Sequence, residues 1–243
     1  MEALDNGKII IVPTERWYML CADSTDGAAC SALFVGKGRD AAKPLALVMP
    51  TNQSVEARFY LSEPARRLSE RLWPGNMALL LSWRNHREAS GRWWLGSHHA
   101  MVTRDPGILG RLAADTRNTI ATTVVSRSTA PTSTDRQPAL SADDVERFIA
   151  LTSLSVELFI DGGDCPVNQG LTVVDCTSVP MIVREGAVAS ETINDLLARS
   201  GRTGAVEGRT LSTSGSALDS SGIAGVDIDV RSLNPRDENR QEA

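Results

Sequence analysis

Three cations between two apolar runs are the feature of this sequence that most directly suggests chemistry. Residues 35–45 read VGKGRDAAKPL and carry Lys37, Arg39 and Lys43. The two glycines and the proline of this segment disfavour a helix, so we predict an extended turn that presents Lys37 and Arg39 to the same side. A lysine point charge beside a planar arginine fork suits an anion with phosphate and carboxylate groups. The alternative is a solvated loop surface, which most short basic runs form.

Other reactive residue types lack the spacing that metal binding or nucleophilic catalysis requires. The four cysteines form no C-x-x-C pair, which makes reduced, partly buried thiols the expected state. The adjacent His98 and His99 have no carboxylate at ligand spacing. Ser126 and Ser128 have no base at readable distance, and the GKGR run lacks the spacing of a P-loop. We therefore predict no protein metal site and no covalent mechanism.

The composition is typical of a globular protein with one good core. The chain has 243 residues, of which 42% are hydrophobic and 23% are charged. The first residues include acidic side chains and only a short apolar run, so we predict neither a secretory signal nor a membrane span, and expect a cytoplasmic protein without a membrane partner. A net charge of −5 argues against nucleic-acid binding through overall charge, while a local basic groove stays open.

Strands and helices must position the cations, and apolar patterns predict both. Several links between the predicted strands are too short for parallel crossovers, so the fold class is α/β or α+β on a mixed twisted sheet. The predicted strands are GKIIIVPT, WYMLCAD, KPLALVMP, NMALLLSW, HHAMVTR, TIATTVVS, ELFIDGG, LTVVDC and MIVREG, and the predicted helices are DGAACSALFVGK, EPARRLSERLW, PGILGRLAAD, SADDVERFIA and ASETINDLLARS.

A change of composition divides the chain near Gly201. Residues 1–199 form one predicted domain. Residues 200–243 are rich in glycine, serine and charge, and such a segment cannot bury enough apolar surface to order itself. We predict a flexible tail there, with an edge strand at GVDIDV as the alternative.

Four motifs, in this order and spacing, resemble the YrdC/Sua5 family of L-threonylcarbamoyladenylate synthases. They are IIIVPTERWYMLCADS, KGRDAAKPLAL, LWPGNMALLL and DGGDCPVNQGLTVVDCTSVPMIVREGAV, and the resemblance spans roughly residues 7–198. Together the four motifs imply the family fold, a YrdC-like twisted mixed β-sheet with flanking helices around a basic cleft.

The resemblance implies a nucleotidyltransferase that joins ATP, bicarbonate and an amino acid, threonine or a relative. The product is a carbamoyl-adenylate that feeds tRNA threonylcarbamoyladenosine modification, and pyrophosphate is released. ATP is the substrate, and Mg²⁺ bridges its phosphates with few protein ligands. By resemblance, Lys37 and Arg39 are catalytic, Lys43, Thr123, Ser126, Thr172 and Arg184 bind ATP and its phosphates, and Thr14 and Arg16 bind the amino acid.

Several positions depart from the family pattern. Each lost polar contact to a ligand would cost on the order of 1 to 3 kcal/mol, so we expect a reshaped pocket of altered specificity. The family's S-x-N reads Val124 to Ser126, its E-S-T reads Gly170-Leu171-Thr172, its strand arginine falls at Val102 with Arg104 as a substitute, and its T-V-Y-G-L-G motif carries Arg16, Met19 and Cys21.

Three hypotheses follow. The first is a carbamoyl-adenylate synthase that is active or altered in specificity. The second is a catalytically weakened paralogue that binds nucleotide, double-stranded RNA or tRNA as a regulatory module. The third is a scaffold in which Lys37, Arg39 and Arg184 are ion-paired surface residues. Basic residues in three separate motifs favour the first two.

Overall fold

The computed structural model describes residues 1–128, 137–166 and 169–198, and it contains a nine-stranded mixed sheet. In chain order the strands are β1 (Ile9–Pro13), β2 (Tyr18–Asp23), β3 (Ala46–Val48), β4 (Met77–Ser82), β5 (His99–Thr103), β6 (Ile120–Val124), β7 (Val156–Phe159), β8 (Thr172–Asp175) and β9 (Met181–Arg184). Their order across the sheet is β7-β1-β2-β6-β3-β5-β4-β8-β9. The nine predicted strands are confirmed.

The helices lie before, between and after these strands in the chain. They are α1 (Glu2–Asp5), α2 (Gly27–Lys37), α3 (Asn52–Arg58), α4 (Glu63–Leu72), α5 (His86–Ala89), α6 (Ile108–Asp115), α7 (Ala142–Leu151) and α8 (Ser190–Ala198), with a 3-10 turn at Trp93–Leu95. The pairs β1–β7, β3–β5 and β4–β8 are parallel, and the other neighbours are antiparallel. The predicted α/β class with a mixed sheet and flanking helices is confirmed.

The extended turn predicted for residues 35–45 is wrong at its beginning. Helix α2 starts where the Asp26 side chain accepts a hydrogen bond from the backbone of Ala29, and it continues through Lys37. Gly36 lies inside the helix. A glycine suits this position because a Cβ there would come within 2.9 Å of the Cβ of Leu154. The helix ends at Gly38, whose left-handed backbone (φ 60°) turns the chain toward the next strand. Lys37 and Arg39 therefore leave the backbone in different local structures.

Side chains alternate between the two faces of the central strands. Leu20, Leu47, Val102 and Ala121 pack into the main apolar core on one face. Their chain neighbours on the same strands point to the opposite face, as the period of two in a strand requires. That second face carries the candidate site.

The expectations about the C-terminal tail and about membranes concern different parts of the chain. The predicted tail, residues 200–243, and its edge strand at GVDIDV lie outside the described residues. Within the described ranges, no helix combines the length and the apolar character that spanning a membrane would require.

Candidate functional site

An open cleft lies over the second face of the sheet, beside strands β2, β3, β5 and β6. Its empty volume, which includes space open to solvent, is about 590 Å³. Much of its wall is hydrocarbon or thioether, with a few converging polar groups, as is common in small-molecule sites. It is lined by Arg16, Trp17, Met19, Arg39, Ala46, Met101, Thr103, Asp105, Leu109, Thr122, Thr123, Val124, Leu171 and Arg184.

Three arginines from distant parts of the sequence meet in this cleft. Arg16 comes from the link between β1 and β2, Arg39 follows α2, and Arg184 ends β9. Arg16 and Arg39 are only 4% and 7% exposed. Asp105 is the one carboxylate among the described residues that line the cleft, so the wall carries two more positive than negative charges. Such a wall favours an anionic ligand.

The guanidinium of Arg16 is held by two polar side chains. Its Nη2 lies 3.5 Å from Oδ2 of Asp105, and its Nη1 donates to Oδ1 of Asn76. Burial lowers the pKa of Arg16, and the charge of Asp105 opposes that shift. The hydroxyl of Thr14 accepts a hydrogen bond from the backbone N–H of Arg16 and donates to the carbonyl oxygen of Trp17 at 2.7 Å. Thr14 therefore shapes the turn that presents Arg16, and it does not itself line the cleft.

Arg184 faces the same end of the cleft as Arg16. Its Nε and Nη2 donate to the carbonyl oxygen of Leu171 at 3.1 and 2.9 Å. Burial and, secondarily, the nearby charge of Arg16 lower the pKa of Arg184 to about 10. A Cβ at Gly170 would lie 3.1 Å from the Trp17 ring and 3.7 Å from Nη2 of Arg184. The absence of a side chain at Gly170 therefore lets the backbone pass close to both Trp17 and Arg184. Two like charges that influence each other in this way favour an anion between them.

Arg39 is fixed at another part of the cleft by backbone carbonyls. Its Nε donates to the carbonyl oxygen of Lys43 at 2.7 Å, and its Nη2 donates to that of Pro44 at 3.0 Å. Its Nη1 lies 3.4 Å from the hydroxyl of Thr123. The guanidinium also lies 5.8 Å from the centre of the Phe34 ring. Lys43 therefore orients Arg39 through its backbone, and its own side chain is not among the residues that line the cleft.

Lys37 does not face the cleft, contrary to the expectation from the sequence. It is 1% exposed, and its ammonium donates to the carbonyl oxygens of Val124 and Ser126 and to the Ser126 hydroxyl. Three acceptors match the three N–H donors of an ammonium group. Lys37 thus supports the end of β6 from behind, since Val124 lines the cleft on its other side.

Two more predicted phosphate ligands have their hydroxyls engaged by the protein. Thr172 is fully buried, donates to the carbonyl oxygen of Val188 at 2.6 Å and accepts from the backbone N–H of Val188 at 3.0 Å. The hydroxyl of Ser126 lies 3.1 Å from the Lys37 ammonium. Neither residue lines the cleft, whereas the predicted ligand Thr123 does.

Some of the positions that depart from the family pattern line the cleft, and others do not. Met19, Val124 and Leu171 line the cleft together with Arg16. Val102 instead packs in the main core on the opposite face of β5. The expected substitution by Arg104 is wrong, because that guanidinium donates to the carbonyl oxygen of Pro50 and to the Asn52 side chain.

Cys21 also departs from the family pattern, and it is buried. Its thiol lies 3.5 Å from the Thr122 hydroxyl, and burial raises the pKa of Cys21 to about 12. The thiol is therefore protonated at neutral pH and is a poor nucleophile.

Asp105 is the functional candidate that the sequence analysis missed. Its signal was a carboxylate at the end of a predicted strand, in the segment TRDPG, which a helix follows. Asn76, before β4, was missed as well, and nothing in its local pattern pointed to Arg16. Among the described residues, no group of three or more histidine, cysteine or acidic side chains is arranged to hold a metal ion.

Comparisons with known proteins agree on one family. A family model named Sua5_yciO_yrdC and described as "Telomere recombination" matches residues 2–186. A Mycobacterium tuberculosis H37Rv protein with the name "Putative threonylcarbamoyl-AMP synthase" is 28% identical over 198 residues, which are 80% of this chain and 86% of that relative.

A Pyrococcus abyssi protein supplies both a sequence relative and a solved structure. The P. abyssi threonylcarbamoyl-AMP synthase is 29% identical over 211 residues, covering 85% of this chain and 58% of that relative. The crystal structure of P. abyssi Sua5 complexed with L-threonine matches with a TM-score of 0.70 at 26% identity, covering 81% of this chain and 55% of that chain. This chain thus spans little more than half the length of the P. abyssi protein.

Proposed function

Since the chain belongs to the Sua5/YciO/YrdC family, we propose that it is a threonylcarbamoyl-AMP synthase-like nucleotidyltransferase. It joins ATP, bicarbonate and an amino acid, threonine or a relative, into a carbamoyl-adenylate and releases pyrophosphate. The product would feed the threonylcarbamoyladenosine modification of tRNA.

One observation carries this proposal. Arg16, Arg39 and Arg184 converge in a mostly apolar cleft whose described lining has a single carboxylate, Asp105. A reaction between a triphosphate and a carboxylated amino acid needs several cations from several segments, because no single loop can surround both ligands. The family membership of the chain supports this specific reaction for the charged cleft.

We assign different parts of the cleft to the two substrates. Arg39 with Thr123 forms a cationic position, and the Arg16–Asp105 ion pair forms a second position that offers one positive and one negative charge. In the proposal, Arg39 binds phosphate oxygens of ATP, Arg16 binds the carboxylate of the amino acid, and Arg184 lies where the two ligands meet. Low exposure of these groups strengthens each charge contact, because few water molecules compete with the ligand.

The reaction step needs positioning and charge more than a protein nucleophile. An oxygen of the carbamate forms a bond to the α-phosphorus of ATP, and the bond from that phosphorus to the β-phosphate oxygen breaks, so that pyrophosphate leaves. Negative charge develops on the phosphate oxygens, and fixed guanidinium donors stabilise it. Lys37 takes the part of a support in this scheme, because its ammonium holds the backbone at Val124 and Ser126.

Mg²⁺ would enter the cleft as part of its complex with ATP. The carboxylate of Asp105 already accepts a hydrogen bond from the backbone of Gly107 and contacts Arg16. The described residues that line the cleft thus offer no set of oxygen ligands for a dedicated cation site. The phosphate oxygens of the substrate would supply most of the coordination.

A second candidate is a catalytically weakened paralogue that binds nucleotide or RNA as a regulatory module. The apolar side chains of Met19, Val124 and Leu171 in the cleft wall favour it, because they replace polar or small residues of the family pattern. Both candidates bind a nucleotide, and only the synthase turns it over.

Pyrophosphate release distinguishes these candidates. Purified protein is given ATP, Mg²⁺, bicarbonate and one amino acid at a time from a panel that includes L-threonine and L-valine. The proposal expects release that requires both bicarbonate and an amino acid and that is lost in Arg39→Met. The matched control is Arg111→Met, an exposed position on α6, which should behave like the parent. Nucleotide binding without release under any condition would favour the regulatory module.

A further inference from the structure

We propose that Asp105 holds the amino nitrogen of the amino-acid substrate while Arg16 binds its carboxylate. The Arg16–Asp105 pair would then recognise both charged groups of an α-amino acid. This inference rests on the proposed function and assigns a substrate contact to a residue that the sequence analysis did not select.

The geometry of the pair fits a ligand with two opposite charges. Arg16 and Asp105 are 4% and 8% exposed, both line the cleft, and their nearest charged atoms are 3.5 Å apart. Close charge-assisted hydrogen bonds are about 2.7 to 2.9 Å long, so this contact is a loose one. The carboxylate and the nitrogen of an α-amino acid are attached to one carbon atom and can meet such a pair side by side.

Asp105 has acceptor capacity left for a ligand. A carboxylate offers about four lone-pair positions. The structure shows Oδ1 accepting from the backbone N–H of Gly107 at 2.8 Å and Oδ2 in the contact with Arg16. A nitrogen donor from the substrate can therefore join these contacts without displacing either.

The backbone of α6 packs closely against Asp105. Gly110, in the first turns of α6, has no Cβ, and a Cβ there would lie 1.9 Å from the carbonyl oxygen of Asp105. The hydrogen bond from Gly107 fixes the carboxylate itself. A side chain fixed from outside the cleft can orient a ligand with little loss of its own conformational entropy.

A nitrogen contact is useful at every stage of the proposed reaction. The ammonium group first gives one proton to solvent. The resulting amine and bicarbonate then form an N–C bond, while hydroxide leaves the bicarbonate carbon and departs as water with a second proton from the nitrogen. The nitrogen still carries one N–H in the carbamate and in the carbamoyl-adenylate. A carboxylate acceptor can therefore hold that nitrogen from the free amino acid to the product, and the carbamate oxygens stay directed toward the nucleotide.

The test compares ligands with and without the amino group. Binding of L-valine and L-threonine is measured by calorimetry in the presence of a non-hydrolysable ATP analogue, together with the two deamino acids, in which a hydrogen atom replaces the amino group and leaves no donor at that carbon. The variants are Asp105→Asn and Asp105→Ser, which both keep an oxygen to accept from Gly107, and the matched control is Asp115→Asn, an exposed position on α6.

We expect the Kd of the amino acids to rise about 10- to 100-fold in both Asp105 variants, with little change for the deamino acids. The Kd of the ATP analogue and all values for Asp115→Asn should match the parent. Equal weakening of amino acids and deamino acids would overturn the inference, because Asp105 would then act only through Arg16. Because both ligands are compared on one variant, partial misfolding cannot produce the expected difference.

The result of this binding test can be distinguished from the result of the pyrophosphate test of the proposed function. Parent protein that selects amino acids through Asp105 but releases no pyrophosphate would refute the synthase activity and leave this inference intact. Release of pyrophosphate that depends on an amino acid, with unchanged amino-acid selectivity in Asp105→Asn, would support the synthase activity and overturn this inference.

Discussion

The ammonium of Lys37 donates to the carbonyl oxygen of Val124, which joins the last residue of α2 to the last residue of β6. Val124 lines the cleft, and Lys37 is buried behind it. The cleft wall at this point therefore depends on a buried charge whose donors all serve the protein.

Replacing Lys37 should destabilise the fold before it affects chemistry. Lys37→Met leaves the buried carbonyl oxygens of Val124 and Ser126 without their donor, and we expect the free energy of unfolding to fall by about 1 to 3 kcal/mol. Urea denaturation measures this change. The exposed Lys8→Met is the matched control and should remain within about 0.5 kcal/mol of the parent. Unchanged stability combined with lost binding of an ATP analogue would show instead that Lys37 is a phosphate ligand.

Anion binding in the cleft should weaken in alkaline solution because of Arg184. Burial and the charge of Arg16 lower the pKa of Arg184 to about 10, so the guanidinium loses its proton as the pH rises through that value. The neutral form attracts phosphate less, and affinity for a non-hydrolysable ATP analogue should fall between about pH 9 and pH 11. Measured by calorimetry, this step should be absent in Arg184→Met. The same alkaline step in parent and variant would assign it to another group.

The altered wall residues should control the choice of amino acid. Val124 and Leu171 present only hydrocarbon to the cleft, and such a wall discriminates weakly between threonine and valine, which differ by a hydroxyl and a methyl group. We expect threonine to bind weakly in the parent and to gain about tenfold over valine in the double variant Val124→Ser, Leu171→Ser.

Calorimetry in the presence of the ATP analogue gives both affinities. Val35→Ser, at a position 77% exposed, is the control for replacing an apolar side chain by serine away from the cleft. Tight and selective binding of threonine by the parent would contradict the altered-pocket account and favour an ordinary threonine site.

Most of the fold could be predicted from the sequence because strands and helices leave local patterns. The period of two along HAMVT, for example, separates the core side chain of Val102 from the cleft side chains of Met101 and Thr103. The family motifs then placed Arg39 and Arg184 in one cleft, although 145 residues separate them in the numbering.

The remaining errors concern where side chains point, which local patterns do not determine. Lys37 was expected in the cleft because two glycines suggested a turn. Lys37 instead ends α2, and Gly36 lies within that helix because it packs closely on Leu154. Arg104 was expected to replace a cleft arginine, yet it follows β5 and turns to Pro50. Asp105 was missed because its partner, Arg16, is 89 residues away and only the folded chain brings them together.

Direct detection of the product tests the central claim most sharply. The protein is incubated with ATP, Mg²⁺, an amino acid and carbon-13 bicarbonate, and the mixture is analysed at once by mass spectrometry. The account predicts an adenylate that contains the amino acid and one carbon-13 atom, formed by the parent and by Arg111→Met but not by Arg39→Met. Hydrolysis of ATP without any such adenylate, or an adenylate without the carbon from bicarbonate, would contradict it.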